Sequence, residues 1–174
     1  MLNGYRIRLA RRKDIHFLPK IERDAAQRFA LFGLDEIVSG VTIPFELLEQ
    51  RQIYGQVWVA LDRGDKPIGF AVASVVDDHG HLDEIDVLVR HGRKGVGTRL
   101  VKAVCRWAYK KRLRGVTLST LRTIPWNAPF YARLGFEVVP EDELSEGLLR
   151  LRQLEILAGL PVSQRVIMRR LFRA

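Results

Sequence analysis

Apolar and polar positions alternate over residues 5–10 (YRIRLA), a period of two that predicts a first strand. After Arg12-Lys13-Asp14 the period lengthens. Ile15, Leu18, Ile21 and Ala25 recur at helical spacing and predict a helical stretch to about Phe32. Residues 33–42 read as irregular, punctuated by Gly33 and Gly40, and residues 44–52 as a short helix opened by Pro44. Residues 56–61 (QVWVAL) and 67–76 (PIGFAVASVV) are predicted strands joined by a turn. Asp77-Asp78-His79-Gly80 then turns the chain into a third strand over 81–89 (HLDEIDVLV), completing an antiparallel meander.

From Arg90 a glycine-punctuated basic loop runs into an amphipathic helix that begins near Val96. Val96, Leu100, Val104 and Ala108 form its apolar stripe, and Arg99, Lys102, Arg106 and Lys110 its solvent side. Residues 115–119 (GVTLS) read as a short strand parallel to the one before the loop, closing a β-α-β crossover. In PWNAPFYARLGF (125–136), Asn127 reads as a helix N-cap, Pro129 falls in the first turn and Gly135 ends the helix. Phe130 and Leu134 are spaced to face the core, while Asn127 and Tyr131 share another side. That arrangement either places a tyrosine hydroxyl or merely packs a ring. The tail reads as an amphipathic helix over 143–158 (Leu144, Leu148, Leu151, Leu154, Ile156) and a last strand over 165–172. The expected fold is α/β of the α+β type, a mixed, mostly antiparallel central sheet of about seven strands flanked by helices.

Composition narrows the class. A length of 174 residues, 47% of them hydrophobic, suits a single domain over 1–174 and argues against disorder. No apolar run approaches membrane-spanning length and residues 1–12 carry no signal-peptide pattern, so the expectation is a cytoplasmic protein with no membrane partner. The single Cys105 excludes an internal disulfide and reads as a small buried helix residue. His79 and His81 beside Asp77 and Asp78 read as a solvated hairpin turn, not a metal site, and no metal is expected.

The net charge of +9 is unevenly placed: residues 87–136 carry 12 basic and no acidic side chains. Such a block suits nucleic acid or a polyphosphate cofactor, and composition does not choose between them. The loop adds an observation. Gly92, Gly95 and Gly97 remove side chains where backbone approaches a partner, and a helix starting near Val96 leaves its first N–H groups unpaired, which is an anion site. The order Gly-x-x-Gly-x-Gly is neither a dinucleotide fingerprint nor a P-loop. On these residues alone a tight strand-to-helix turn stays open.

Taken together, the initial strand, two helices, three-strand meander, glycine loop with its long helix, and the segment Asn127-x-Pro129-x-Tyr131-x-x-x-Gly135-Phe136 resemble the GNAT superfamily of acyl-CoA-dependent N-acetyltransferases along nearly the whole chain. The resemblance implies acetyl-CoA as co-substrate and an amine acceptor that attacks its thioester. It implies a cofactor site of backbone at Val87, Leu88 and Val89 for the pantetheine arm, with their amides as oxyanion donors, and of Gly92, Arg93, Lys94, Gly95, Val96, Gly97, Thr98 and Arg99 for the pyrophosphate, with Asn127 and Tyr131 beyond. Arg93 stands where a glycine is common in the family and Gly92 where an Arg or Gln is usual, so Arg93 or Arg90 is left to supply that contact. Tyr131 matches the family's proton donor. Of Asp83, Glu84 and Asp86 on the preceding strand, alternation groups Glu84 with Leu82 and Asp86, and Glu84 is the favoured base. The acceptor region is expected at 32–48 and 140–165, locally acidic at Asp35, Glu36 and Glu46. With a pyrophosphate to bind, the basic block needs no nucleic acid. A nucleic-acid-binding module, a catalytically silent acyl-CoA-binding regulator and a homodimer remain open on the sequence.

Overall fold

The structure, a computed structural model, describes residues 4–34, 40 and 42–173. Seven strands form one sheet: β1 (Arg6–Leu9), β2 (Val57–Leu61), β3 (Pro67–Val76), β4 (His79–Val87), β5 (Gly115–Leu121), β6 (Glu137–Val138) and β7 (Arg165–Leu171), in the order β1-β2-β3-β4-β5-β7-β6. The pairs β1·β2, β2·β3, β5·β7 and β6·β7 are antiparallel, whereas β4·β5 is parallel, as a strand–helix–strand crossover requires. The helices are α1 (Leu18–Ala26), α2 (Phe45–Ile53), α3 (Val96–Lys110), α4 (Ala128–Ala132) and α5 (Glu146–Leu157), among the described residues.

Two compact units divide the chain, one of Met1–Ala73 with Glu84–Val104, the other of Ser74–Asp83 with Cys105–Ala174. The first has a core of Ile15, Leu18, Ile21, Leu48, Val57, Val59, Leu61, Phe70 and Val72, on which Ile43, Phe45 and Leu88 pack. The second has a smaller cluster of Val139, Leu144, Leu148 and Ile167.

The expected helix to Phe32 is broken into a 3-10 turn (Arg12–Phe17), α1 and a second 3-10 turn (Gln27–Phe32). Pro19 is the reason at the first break: it lacks an N–H and is tolerated only in a first turn, so the α-helix starts beside it. The third meander strand starts and stops two residues earlier than expected. Its turn is Asp77-Asp78, with Asp77 at φ +52°, and β4 ends at Val87 before a 3-10 turn at Val89–His91. His81 therefore lies inside a strand and is buried, which corrects the solvated-turn reading.

The long helix starts where expected, and Val96, Leu100, Val104 and Ala108 are all buried, joined by Val101 and Cys105. In the tail only half of the expected stripe is covered. Leu144 and Leu148 are buried, but Leu154 and Ile156 are 60% and 54% exposed. Arg152 is buried instead, donating to Glu155 at 3.1 Å and Glu141 at 3.0 Å, while Arg165 joins Glu155 at 3.0 Å and the Ser119 carbonyl at 3.1 Å. A partly buried ion network centred on Arg152 takes the place of the apolar pattern there.

Candidate active site

The loop before α3 holds two left-handed residues, Arg93 at φ +57° and Gly95 at φ +75°. For a non-glycine residue that conformation costs about 1 kcal/mol or more, which explains why glycine suits the Arg93 position. A Cβ at Gly95 would meet no atom within 4 Å, so the backbone there faces open space. The first helical bond runs from the Arg99 N–H to the Gly95 carbonyl at 3.2 Å, which places the amides of Val96, Gly97 and Thr98 ahead of the helix's own bonding. No acidic residue stands in this first turn. An anion is stabilised at such a terminus by the unpaired N–H groups and by the helix dipole together.

Side chains in the loop are not all turned outward. Lys94 Nζ donates to the Arg90 carbonyl at 3.1 Å, and Arg99 donates to the Tyr5 carbonyl at 2.6 Å. Arg99 is thus engaged through both its amide and its guanidinium, and the sequence contained no spacing that would have paired it with Tyr5. Arg90 and Arg93 are exposed.

The segment expected to hold a pantetheine arm is also more committed than its sequence suggests. The Leu88 N–H donates to the Ile68 carbonyl at 2.9 Å and the Val89 N–H to the Asp24 carboxylate at 2.7 Å. Neither of these two amides is left for an oxyanion, which corrects the expectation for Leu88 and Val89: beyond Val87 the strand gives way to a 3-10 turn whose amides find partners inside the protein. The parallel register of β4 with β5 comprises Gly80↔Val116, His81↔Thr117 and Leu82↔Leu118, although β4 continues to Val87 and β5 to Leu121.

Of the three acids on β4, Asp83 accepts from the Ser74 hydroxyl at 2.8 Å, and Glu84 accepts from the Ile85 N–H at 3.2 Å. Asp86 is buried. Burial, then the Glu84 and Glu22 charges, hold its carboxyl well above the usual carboxylate range against the opposing pull of Arg28. Glu84 and Asp86 therefore sense one another, as their shared strand face requires. Glu22, itself raised by burial, accepts from the Ile43 N–H at 3.1 Å and adds an acid that the sequence did not single out. Of the expected acceptor acids, Glu46 is exposed, and Asp35 and Glu36 lie outside the described residues.

In the second unit Asn127 stands at the N-cap position of α4, yet its side chain does not cap. Its Nδ2 donates to Thr120 Oγ1 at 2.8 Å, and its buried Oδ1 has no partner among the described residues. Tyr131 is 5% exposed, more covered than Phe130 or Leu134, the reverse of the expected facing. Its ring meets Phe130 and Phe136 edge-on at centroid distances of 5.1 and 5.8 Å. Cys105 is buried, and burial pushes its thiol up, away from nucleophilic use. Among the described residues no three His, Cys, Asp or Glu side chains are grouped to hold a metal ion, and no helix is long and apolar enough to cross a membrane.

Residues 21–136 match the acetyltransferase (GNAT) family model. A curated relative, the uncharacterized N-acetyltransferase YjcF of Bacillus subtilis, is 31% identical over 93 residues, which are 53% of this chain and 64% of that protein; the match spans a little under two thirds of the relative's length. In fold the chain is similar to the PaiA N-acetyltransferase of Thermoplasma acidophilum in complex with coenzyme A, at a TM-score of 0.68 and 16% identity, covering 97% of this chain and 99% of that one. It is also similar to N-acetylglutamate synthase of Neisseria gonorrhoeae complexed with coenzyme A and N-acetyl-glutamate, at a TM-score of 0.71 and 19% identity over 98% of this chain and 35% of that one.

Proposed function

Because the chain belongs to the acetyltransferase (GNAT) family, we propose that it moves an acetyl group from acetyl-CoA to a primary amine by direct attack in a ternary complex. The observation that carries this reading is the loop before α3, where left-handed Arg93 and Gly95 lead to three open amides in an acid-free first turn. Val96, Gly97 and Thr98 donate their N–H groups to the pyrophosphate, with Gly92 and Gly95 giving the backbone room and Lys94, Arg93 and Arg90 adding charge. The pantetheine arm lies along the backbone of Val87, Leu88 and Val89. The partnerless Oδ1 of Asn127 supports a place for that residue in cofactor binding, since a buried acceptor without a donor carries a cost that a ligand N–H removes.

In the reaction the neutral amine nitrogen attacks the thioester carbonyl, the new C–N bond forms, and the C–S bond breaks. Glu84 takes the proton that the amine loses. Tyr131 protonates the departing thiolate, a role supported by its position in the Asn127–Phe136 segment. A cationic amine suits the carboxylate of Glu84, whose charge draws it in before deprotonation.

The test is release of free CoA thiol from acetyl-CoA in the presence of a panel of amines, preceded by thermal shift with CoA. Amine-dependent release supports the reading. Binding without turnover would assign the chain to a catalytically silent CoA-binding role, and no binding to CoA but salt-sensitive binding to nucleic acid would overturn it.

A further inference from the structure

One residue touches both ends of the anion loop. The Tyr5 hydroxyl lies 2.8 Å from His91 Nδ1, where the loop begins, and the two rings meet edge-on with centroids 5.6 Å apart. The Tyr5 carbonyl accepts from the Arg99 guanidinium at 2.6 Å, in the first turn of α3, where the loop ends. Tyr5 itself is rooted in the sheet, since the next residue, Arg6, pairs with Leu61 in the β1·β2 ladder.

We propose that Tyr5 is a positioning residue for the phosphate loop, fixing the span from His91 to Arg99 so that the intervening amides are set before the ligand arrives. The inference rests on the acetyl-CoA reading for its ligand, but its geometry stands without it. A loop holding two left-handed residues has no regular ladder to hold its shape, and a ligand that must order it binds more weakly than one that finds it ordered. The two anchors differ in kind. The Arg99 bond is charge-assisted and uses a backbone carbonyl that every substitution at position 5 retains, whereas the His91 bond depends on the phenol. A phenylalanine at position 5 therefore releases one end of the loop while keeping the ring and the other anchor.

The experiment compares wild type with Tyr5→Phe, His91→Leu and the double variant. In the unliganded proteins, amide hydrogen exchange at His91 and Gly92, whose N–H groups are bonded to the Leu88 and Val89 carbonyls at the start of the loop, is expected to quicken roughly 3- to 10-fold in Tyr5→Phe, the scale of one lost hydrogen bond, with exchange in α3 beyond Val101 unchanged. Calorimetric titration with CoA should show Kd raised by a similar factor, and in turnover KM for acetyl-CoA should rise while kcat moves less than about twofold. Adding Tyr5→Phe to His91→Leu should cost nothing further, because the hydroxyl acts through that imidazole. Unchanged loop exchange, or effects of the two substitutions that simply add, would overturn the inference whatever the ligand. If loop exchange quickens as expected while wild type fails to bind CoA, the acetyl-CoA reading falls and the loop-positioning role of Tyr5 stands.

Discussion

His81 Nδ1 and the Thr117 hydroxyl lie 2.9 Å apart across the parallel pair of β4 and β5, both side chains buried. Burial depresses the imidazole to about 4, so the folded protein refuses a proton that the unfolded chain accepts below its ordinary 6.5. Stability from this group is complete above pH 6.5 and is lost as pH falls toward 4, by roughly 3 kcal/mol at full extent. The double variant His81→Leu/Thr117→Val should flatten the stability profile in that window. Denaturant midpoints at pH 7.5, 6, 5 and 4.5 check it, and a wild-type profile no steeper than the variant's would refute the buried neutral histidine.

Asp86 works in the opposite sense. Its folded value is raised, so the folded protein keeps a proton that the unfolded chain releases above about 3.8, and stability declines as pH rises through the folded value. Asp86→Asn should melt higher than wild type at pH 8 and show a shallower decline from pH 5 to 8. A lower melting temperature at pH 8 would mean that a charged Asp86 pairs productively with Arg28.

Gly95→Glu tests the loop. Open space around its Cβ lets the variant fold, at a cost of about 1–2 kcal/mol for a side chain in the left-handed region. CoA at ~100 times its dissociation constant should stabilise wild type by ~2.7 kcal/mol and the variant by almost nothing. A folded variant with a full CoA shift would place the pyrophosphate elsewhere.

Tyr131→Phe keeps the ring contacts with Phe130 and Phe136 and removes only the hydroxyl. The expected loss is ~10²-fold or more in kcat with cofactor affinity nearly unchanged. Unaltered turnover, measured at saturating acetyl-CoA, would leave Tyr131 a packing residue.

Glu84→Gln should lower kcat/KM at pH 7 by about 10²-fold, with much of the loss recovered toward pH 9, where solvent deprotonates the amine unaided. Asp83→Asn is the comparison, because Asp83 is engaged with Ser74. A pH–rate profile that responds to Asp83→Asn and not to Glu84→Gln would move the base to the other face of β4.

The parts legible in the sequence were those that local chain chemistry decides. Glycine and left-handed geometry place the loop, the four-residue apolar recurrence places α3 and its buried stripe, and period-two alternation places the strands, since each depends on residues no more than a turn or a pleat apart. Tertiary structure alone decided which groups are free to act. Arg99 is taken by Tyr5, 94 positions away, and the Val89 amide by Asp24, 65 positions away. Tyr131 is covered where Phe130 was expected to be, and of the two acids on one strand face Asp86 is buried while Glu84 is only half-buried. Periodicity reports which face a residue occupies, whereas desolvation and hydrogen-bond partners depend on what the rest of the chain packs against that face, and no spacing along the sequence encodes that.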